Sequence, residues 1–198
     1  LKQVKTLGEP VPVAEQISVD DRWTGAFSVS DDGKLAFQAG GSTGYALTWY
    51  DRAGKPGAVV ANGLFSVTRL SPDGKKVAAS IVDTAVGTVD IWLYDLVRNV
   101  KSRFTFDPSD DDDPVWSPDS TTIVFDSSRK GAPSLYQKPA NGAHPEELLY
   151  EDKAVKFPTS WSSDGKYVLF DRTEPQGKTK TDVWALPMFS DHKAFPFL

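Results

Sequence analysis

Ser71-Pro72-Asp73-Gly74-Lys75-Lys76-Val77-Ala78-Ala79 joins a tight turn to a short apolar run, and the same grammar returns three more times in the chain. The counterparts are Ser30-Asp31-Asp32-Gly33, Ser117-Pro118-Asp119-Ser120 and Ser162-Ser163-Asp164-Gly165, whose aspartates Asp32, Asp73, Asp119 and Asp164 are spaced by 41, 46 and 45 residues. Self-similarity with a period of about 20 to 50 residues marks a repeat architecture. Serine and aspartate side chains bond turn backbone, proline presets φ, and glycine takes the φ > 0 position of a tight reversal. The runs that follow, Leu35-Ala36-Phe37, Val77-Ala78-Ala79, Ile123-Val124-Phe125 and Tyr167-Val168-Leu169-Phe170, make each motif the tip of a hairpin. Ser120 in place of glycine predicts a different turn type or local strain in the third copy.

Working outward, Val29, Leu70, Trp116 or Trp161 stands just before each serine, as the end of a preceding strand. Beyond each hairpin an aromatic residue marks a third strand, at Trp49, Trp92, Tyr136 and Trp184. Further turns at Asp51-Arg52-Ala53-Gly54 and Pro139-Ala140-Asn141-Gly142 lead to fourth strands, for which Ala58 to Ala61, Lys101 to Phe104, Glu147 to Tyr150 and Ala194 to Phe197 are the candidates. Four strands in about 40 to 45 residues are the signature of a propeller blade. Proline, glycine and β-branched residues interrupt every stretch where a helical period might run. The expectation is an all-β β-propeller segment of four four-stranded antiparallel blades, at residues 21–62, 63–106, 107–152 and 153–198. Residues 1–20 would be a leftover outer strand, around Glu9 to Ala14, and a linker. Such an arc belongs to a larger ring of about six to eight blades, and its free apolar ends would be open to self-association.

Composition agrees with a folded, turn-rich chain of 198 residues, 39% apolar and 12% aromatic, with 15 glycines and 14 prolines. A net charge of −5 and the lack of a standout Lys/Arg cluster argue against nucleic acid as a partner. Cysteine is absent, which removes disulfides and thiolate chemistry together. No apolar run approaches the roughly 18 residues of a spanning helix, so membrane contact would come only through a flanking segment. A start at Leu1 rather than Met predicts a piece of a longer protein.

The stretches Ser71-Pro72-Asp73-Gly74-Lys75, Pro114-Val115-Trp116-Ser117-Pro118-Asp119 and Trp161-Ser162-Ser163-Asp164-Gly165-Lys166, each before a hydrophobic strand, resemble the repeats of TolB-like β-propellers. Within that family the chain is similar to the propeller that follows the catalytic domain and membrane segment of some bacterial serine/threonine protein kinases. The phrases carrying this narrower likeness are Gly25-Ala26-Phe27-Ser28-Val29-Ser30, Leu47-Thr48-Trp49-Tyr50-Asp51-Arg52-Ala53-Gly54-Lys55, Asp90-Ile91-Trp92-Leu93-Tyr94-Asp95-Leu96 and Arg103-Phe104-Thr105-Phe106-Asp107. The resemblance implies a non-catalytic sensing or protein-binding module, periplasmic or otherwise extracytoplasmic, with a cytoplasmic place still open. No Gly-rich nucleotide loop, His-Arg-Asp or Asp-Phe-Gly signature accompanies it.

Gly40-Gly41-Ser42-Thr43-Gly44 fits a nucleophile elbow by letter, but an elbow needs a strand-to-helix turn followed by an acid and a histidine. Two strands flank it here, so a hairpin loop is the better reading, and no catalytic residue or cofactor is expected. Asp111, Asp112 and Asp113 are the weak candidates for a metal, calcium by their oxygen chemistry. They lack the alternating spacing of a calcium loop, and a solvated loop explains them better. In a propeller the loops entering the inner strands rim one face of the axial channel. By repeat alignment these loops hold Arg22, Trp23, Phe65, Asp111, Asp112, Asp113, Lys156 and Phe157, the candidate contacts for a protein or small ligand at the channel face. The tryptophans at 49, 92, 116, 161 and 184 recur at equivalent places and read as packing between blades, whereas Trp23 falls outside the repeat. Two functions compete with the kinase-sensor reading: the substrate-gating propeller of a prolyl-oligopeptidase-like peptidase, and a scaffold of an envelope complex.

Overall fold

The computed structural model describes residues 27–29, 35–38, 45–174, 181–189 and 191–197. Among them every regular element is a strand, and the strands form four antiparallel sheets of four, each from consecutive strands. Blade 1 holds β1 (Phe27–Val29), β2 (Leu35–Gln38), β3 (Tyr45–Tyr50) and β4 (Pro56–Gly63). Blade 2 holds β5 (Phe65–Leu70), β6 (Lys76–Asp83), β7 (Thr88–Asp95) and β8 (Val100–Arg103). Blade 3 holds β9 (Asp111–Trp116), β10 (Thr122–Ser127), β11 (Ser134–Pro139) and β12 (Glu147–Tyr150). Blade 4 holds β13 (Val155–Trp161), β14 (Tyr167–Thr173), β15 (Asp182–Pro187) and β16 (Phe195–Pro196). The first strands neighbour one another, β1 with β5, β5 with β9 and β9 with β13, so they are the innermost and β4, β8, β12 and β16 the outer edges. This is the all-β propeller arrangement expected from the repeat. The leftover strand expected in residues 1–20, the hairpin tip Ser30 to Gly33 and the loop Gly40 to Gly44 lie outside the described residues.

Three hairpin tips show why the motif recurs. Ser71 Oγ donates to Asp73 Oδ1 at 2.7 Å and accepts the Lys76 N–H at 2.9 Å. Ser117 does the same with Asp119 (2.6 Å) and Thr122 (2.9 Å), and Ser162 with Asp164 (2.7 Å) and Tyr167 (2.9 Å). One hydroxyl thus ties the turn to the strand that leaves it, and the aspartate accepts a second amide, from Lys75, Thr121 or Lys166. The fourth residue of each turn, Gly74, Ser120 or Gly165, sits at φ 69°, 62° or 74° and donates its N–H to the serine carbonyl.

The departure at Ser120 has a structural reason. The third turn keeps the geometry of the others, with serine held in the left-handed region that glycine adopts freely. Its Oγ accepts the Asp73 N–H at 3.1 Å, bonding the blade 3 turn to the blade 2 turn. Ser120→Ala keeps the left-handed strain and loses the bond, so it is expected to cost about 1 kcal/mol, while Ser120→Gly trades the bond for relief of strain and stays near zero. Urea unfolding of the two variants beside the parent chain measures the difference, and equal midpoints for alanine and glycine would refute this account.

The same turns carry a pH dependence. Hydrogen bonds from Ser117 and then Thr121 hold the Asp119 carboxyl below the usual carboxylate range, and those from Ser162 and the Lys166 amide do so for Asp164. A depressed folded-state value means that support is complete above the unfolded value near 4 and is lost as the pH falls through the lower folded value. The urea midpoint is therefore expected to drop on acidification from pH 5 to pH 3. Asp119→Asn, which cannot titrate, is expected to make that drop smaller; an unchanged drop would refute the role of this carboxylate.

The core is three layers, one at each blade interface. Leu47 of blade 1 meets Phe65, Leu70, Val77, Ala79 and Tyr94 of blade 2. Ala78, Ile91, Leu93 and Phe104 face Trp116, Ile123, Phe125, Tyr136 and Ala140 of blade 3. Val124 and Leu135 meet Val168, Phe170 and Leu186 of blade 4. Neighbours such as Val77 and Ala78, or Val124 and Phe125, point to opposite faces and are both buried, which explains why these strands read as continuous apolar runs rather than alternating ones. Trp49 and Trp92 pack on the first layer, Trp116 belongs to the second, and Trp161 and Trp184 pack on the third. The fourth strands differ slightly from the sequence reading. β8 ends at Arg103 because Phe104 turns inward to the second layer, with its N–H on the Ile91 carbonyl at 2.8 Å.

Candidate functional site at the inner strands

The innermost strands share one irregularity. Between Phe65 and Thr68 on β5, between Asp112 and Val115 on β9, and between Pro158 and Ser160 on β13, the inner strand carries one residue more than its partner. These are β-bulges at repeat-equivalent places, and a bulge bends its strand and re-aims the side chains around it. In blade 3 the bulge puts Asp113 at φ 48°.

The structure corrects the placement of the candidate contacts. Phe65, Asp111, Asp112, Asp113, Lys156 and Phe157 lie on the first strands themselves, not on the loops entering them, because pairing with the second strand extends to those positions. Four are buried. Phe65 is 3% exposed and meets the Tyr94 ring edge-on at 6.3 Å, as part of the first core layer. Asp111 is 0% exposed, and Asp113 is also buried. Lys156 is 0% exposed, with Nζ on Asp152 Oδ1 at 2.8 Å, on the Asp152 carbonyl at 3.0 Å and on the Ala154 carbonyl. Asp112 and Phe157 are partly exposed, and Asp112 accepts the Ser66 Oγ–H across the blade boundary at 3.2 Å. Thr159 and Ser160, at the bulge of β13, are exposed. Arg22 and Trp23 lie outside the described residues.

Sequence reading missed the partners that hold these groups. Arg129, just past β10, reaches Asp111 Oδ1 at 2.9 Å, Glu146 Oε2 at 2.8 Å and Asp107 Oδ2 at 3.6 Å, with its guanidinium 4.4 Å from the centre of the Tyr136 ring. Burial pushes the Asp111 carboxyl up from the usual range, against the pull of the Ser127 hydroxyl and Arg129. In blade 4, Arg172 bonds Asp152 Oδ2 through Nε and Nη2, both at 2.9 Å, and lies 4.5 Å from the Trp184 ring centre. Burial opposes ionisation of Asp152, yet the Lys156 ammonium, the Ala154 amide and Arg172 outweigh it and leave the carboxyl below its ordinary value. The only sequence sign of these networks is the presence of arginines among acids at unequal spacing, which names no pair.

Asp111 turns to Arg129 and Asp112 to Ser66, and among the described residues no group of three or more His, Asp or Glu side chains converges as a metal would need. His144 is exposed in the turn between β11 and β12, and His192, at the outer edge of blade 4, has Nδ1 2.9 Å from the Pro187 carbonyl oxygen. No helix among the described residues is long and apolar enough to cross a membrane.

Comparison with known proteins agrees with this architecture. Residues 28–186 match the model of the TolB beta propeller domain. The Tol-Pal system protein TolB of Helicobacter pylori is 29% identical over 120 residues, covering 60% of this chain and 28% of that protein. The uncharacterized peptidase YuxL of Bacillus subtilis is 30% identical over 128 residues, covering 60% of this chain and 19% of that protein. The chain thus spans less than a third of the length of these relatives. Among solved structures, a protein of Agrobacterium tumefaciens assigned as TolB superposes with a TM-score of 0.76 at 23% identity, covering 87% of this chain and 64% of the other, a likeness of fold.

Proposed function

The chain belongs to the TolB beta propeller domain family, and from that premise we propose that it is a non-catalytic protein-binding module of a larger bacterial protein. The observation that carries the reading is how the inner strands use their groups. Charged side chains there are bound to one another, as Asp111 is to Arg129 and Lys156 to Asp152. What these strands leave accessible is polar, with Thr159 and Ser160 exposed and Ser66, Asp112 and Phe157 partly so, groups suited to a partner's backbone and polar side chains. Phe65, Asp111, Asp113 and Lys156, at the same end of the blades, are buried supports for these strands.

The larger protein has two readings. Four sequence phrases resemble kinase-associated propellers and support the sensor half of a membrane serine/threonine kinase, on the extracytoplasmic side. Similarity to the Bacillus subtilis peptidase supports a propeller that gates an α/β-hydrolase domain. Reading the coding sequence on both sides of this segment separates them, by an upstream kinase and membrane helix or a downstream hydrolase.

A photocrosslinking residue placed at Ser160 in the parent protein is expected to capture a specific protein, and Asp112→Lys to abolish the capture. The same residue at Val86, exposed in the turn between β6 and β7, should capture nothing. Capture that ignores the Asp112 change, or peptide hydrolysis by the 198-residue chain itself, would overturn the proposal.

A further inference from the structure

Antiparallel alternation puts the turns after β3, β5 and β7 at the end of the blades opposite to Phe65, Asp111 and Lys156. Two clefts adjoin there. One, of about 840 Å³, lies between blades 1 and 2 and is lined by Trp49, Lys55 and Leu96; the other, of about 640 Å³, lies between blades 2 and 3 and is lined by Lys76, Arg98 and Val100. Asp73, Lys75 and Val97 line both, so the clefts form one trough that crosses the blade 2 turn.

The charge of this trough is unequal in kind. Its three carboxylates are committed to their own turns. Asp51 Oδ1 accepts the N–H groups of Ala53 and Lys55, both at 2.9 Å, and Asp95 Oδ1 those of Val97 at 3.0 Å and Arg98 at 2.8 Å. Asp73 Oδ1 accepts from Ser71 and the Lys75 amide. The cations are held more loosely. Lys55 and Lys76 have no ion pair within 4.0 Å among the described residues, and Lys75 and Arg98 have only long contacts of 3.7 and 4.0 Å with the acids of their own turns. Residues 45–105 hold eight Lys and Arg against five Asp and Glu, whereas residues 106–174 hold seven against fourteen. Four of the eight cations of residues 45–105 thus line this one end of blades 1 and 2. Between them lie Trp49 and Leu96, half-buried, and Val97 and Val100, 73% and 53% exposed.

We infer that this trough binds an extended acidic peptide whose alternate side chains are apolar. An extended chain points alternate residues in opposite directions. Apolar side chains then settle on Trp49, Leu96 and Val97 while carboxylates meet Lys55, Lys75, Lys76 and Arg98 at the rim. Carboxylates already bonded to turn amides stay in place and leave the ammonium and guanidinium groups to the ligand. The site is separate from the inner-strand surface, so either can fail without the other.

Fluorescence anisotropy with the whole 198-residue chain tests the inference. The probe is a labelled peptide of about ten residues alternating Glu and Leu; Gln-Leu and Lys-Leu peptides of the same length are the comparisons. The Glu-Leu peptide is expected to bind and the others not, with affinity falling at least about tenfold between 50 and 300 mM NaCl. Lys75→Glu with Arg98→Glu should weaken binding at least about tenfold, and Lys55→Gln with Lys76→Gln should weaken it less while preserving the fold. Lys130→Glu, exposed on another turn, should leave it within about twofold. Binding untouched by both trough variants would overturn the inference. So would charge-dependent binding to phosphatidylglycerol vesicles or polyuridylate without binding to the peptide, or self-association that the trough variants abolish while the peptide stays unbound.

Discussion

Phe125→Ala is expected to lower the unfolding free energy by about 4 kcal/mol, the largest effect of any single truncation proposed for this chain. Phe125 is fully buried at the centre of the layer between blades 2 and 3, with its ring 6.1 Å from Tyr136 in a stacked arrangement and 6.4 Å from Phe104 edge-on. Alanine removes the transfer free energy of the ring and leaves a cavity that paired strands on both sides cannot close. In a repeat protein each unit is held by its neighbours, so the loss falls on one interface. Hydrogen exchange is expected to speed up across β6, β7, β10 and β11 while β14 and β15 keep more of their protection. A urea-derived loss below about 1.5 kcal/mol, or uniform loss of protection through all four blades, would refute this account of the layer.

Arg129→Ala is expected to cost about 3 kcal/mol at pH 7, because it strands the fully buried Asp111 carboxylate without its cation. Asp111→Asn should cost much less. The amide fills the same space without a buried charge, and Arg129 retains Glu146 at 2.8 Å. This asymmetry distinguishes the penalty of an uncompensated charge from the worth of the contact. Burial already pushes the Asp111 carboxyl up, and removing the arginine pushes it further in the same direction. A carboxyl whose folded value is raised costs stability at neutral pH, and protonation relieves that cost as the pH falls toward the unfolded value near 4. The deficit of Arg129→Ala relative to the parent chain is therefore expected to shrink between pH 7 and pH 5, as measured by urea midpoints. A deficit that stays constant, or an Asp111→Asn loss as large as that of Arg129→Ala, would argue against the buried-charge explanation.

The elements that sequence reading recovered are those whose cause is local. The bonds that close the turn at Ser71, Asp73 and Gly74 reach no further than five positions, so their spacing carries the instruction for the turn. The apolar runs after each turn report burial on both faces, and the recurring aromatics at 49, 92, 136 and 184 mark the third strands. The candidate contacts were harder. Asp111, Asp112 and Asp113 are equal letters in a run, yet one is a buried ion-pair member, one accepts a hydrogen bond across a blade boundary, and one sits at a bulge. Ser120 looked like a defect because its partner, Asp73, is 47 residues away. Lys75 and Lys76 are neighbours in the chain, but Arg98 joins them only through the pairing of blade 2 and Lys55 only when blade 1 stands beside it.

By itself the sequence determined the repeat, the strand count and the turns, since hydrogen bonds that close within a few residues and apolar runs facing two neighbours leave a periodic trace. Tertiary structure alone decided which charges are buried, where the inner strands bulge and which lysines share a trough. Those outcomes depend on desolvation and on contacts between strands and between blades that the local order of residues does not specify.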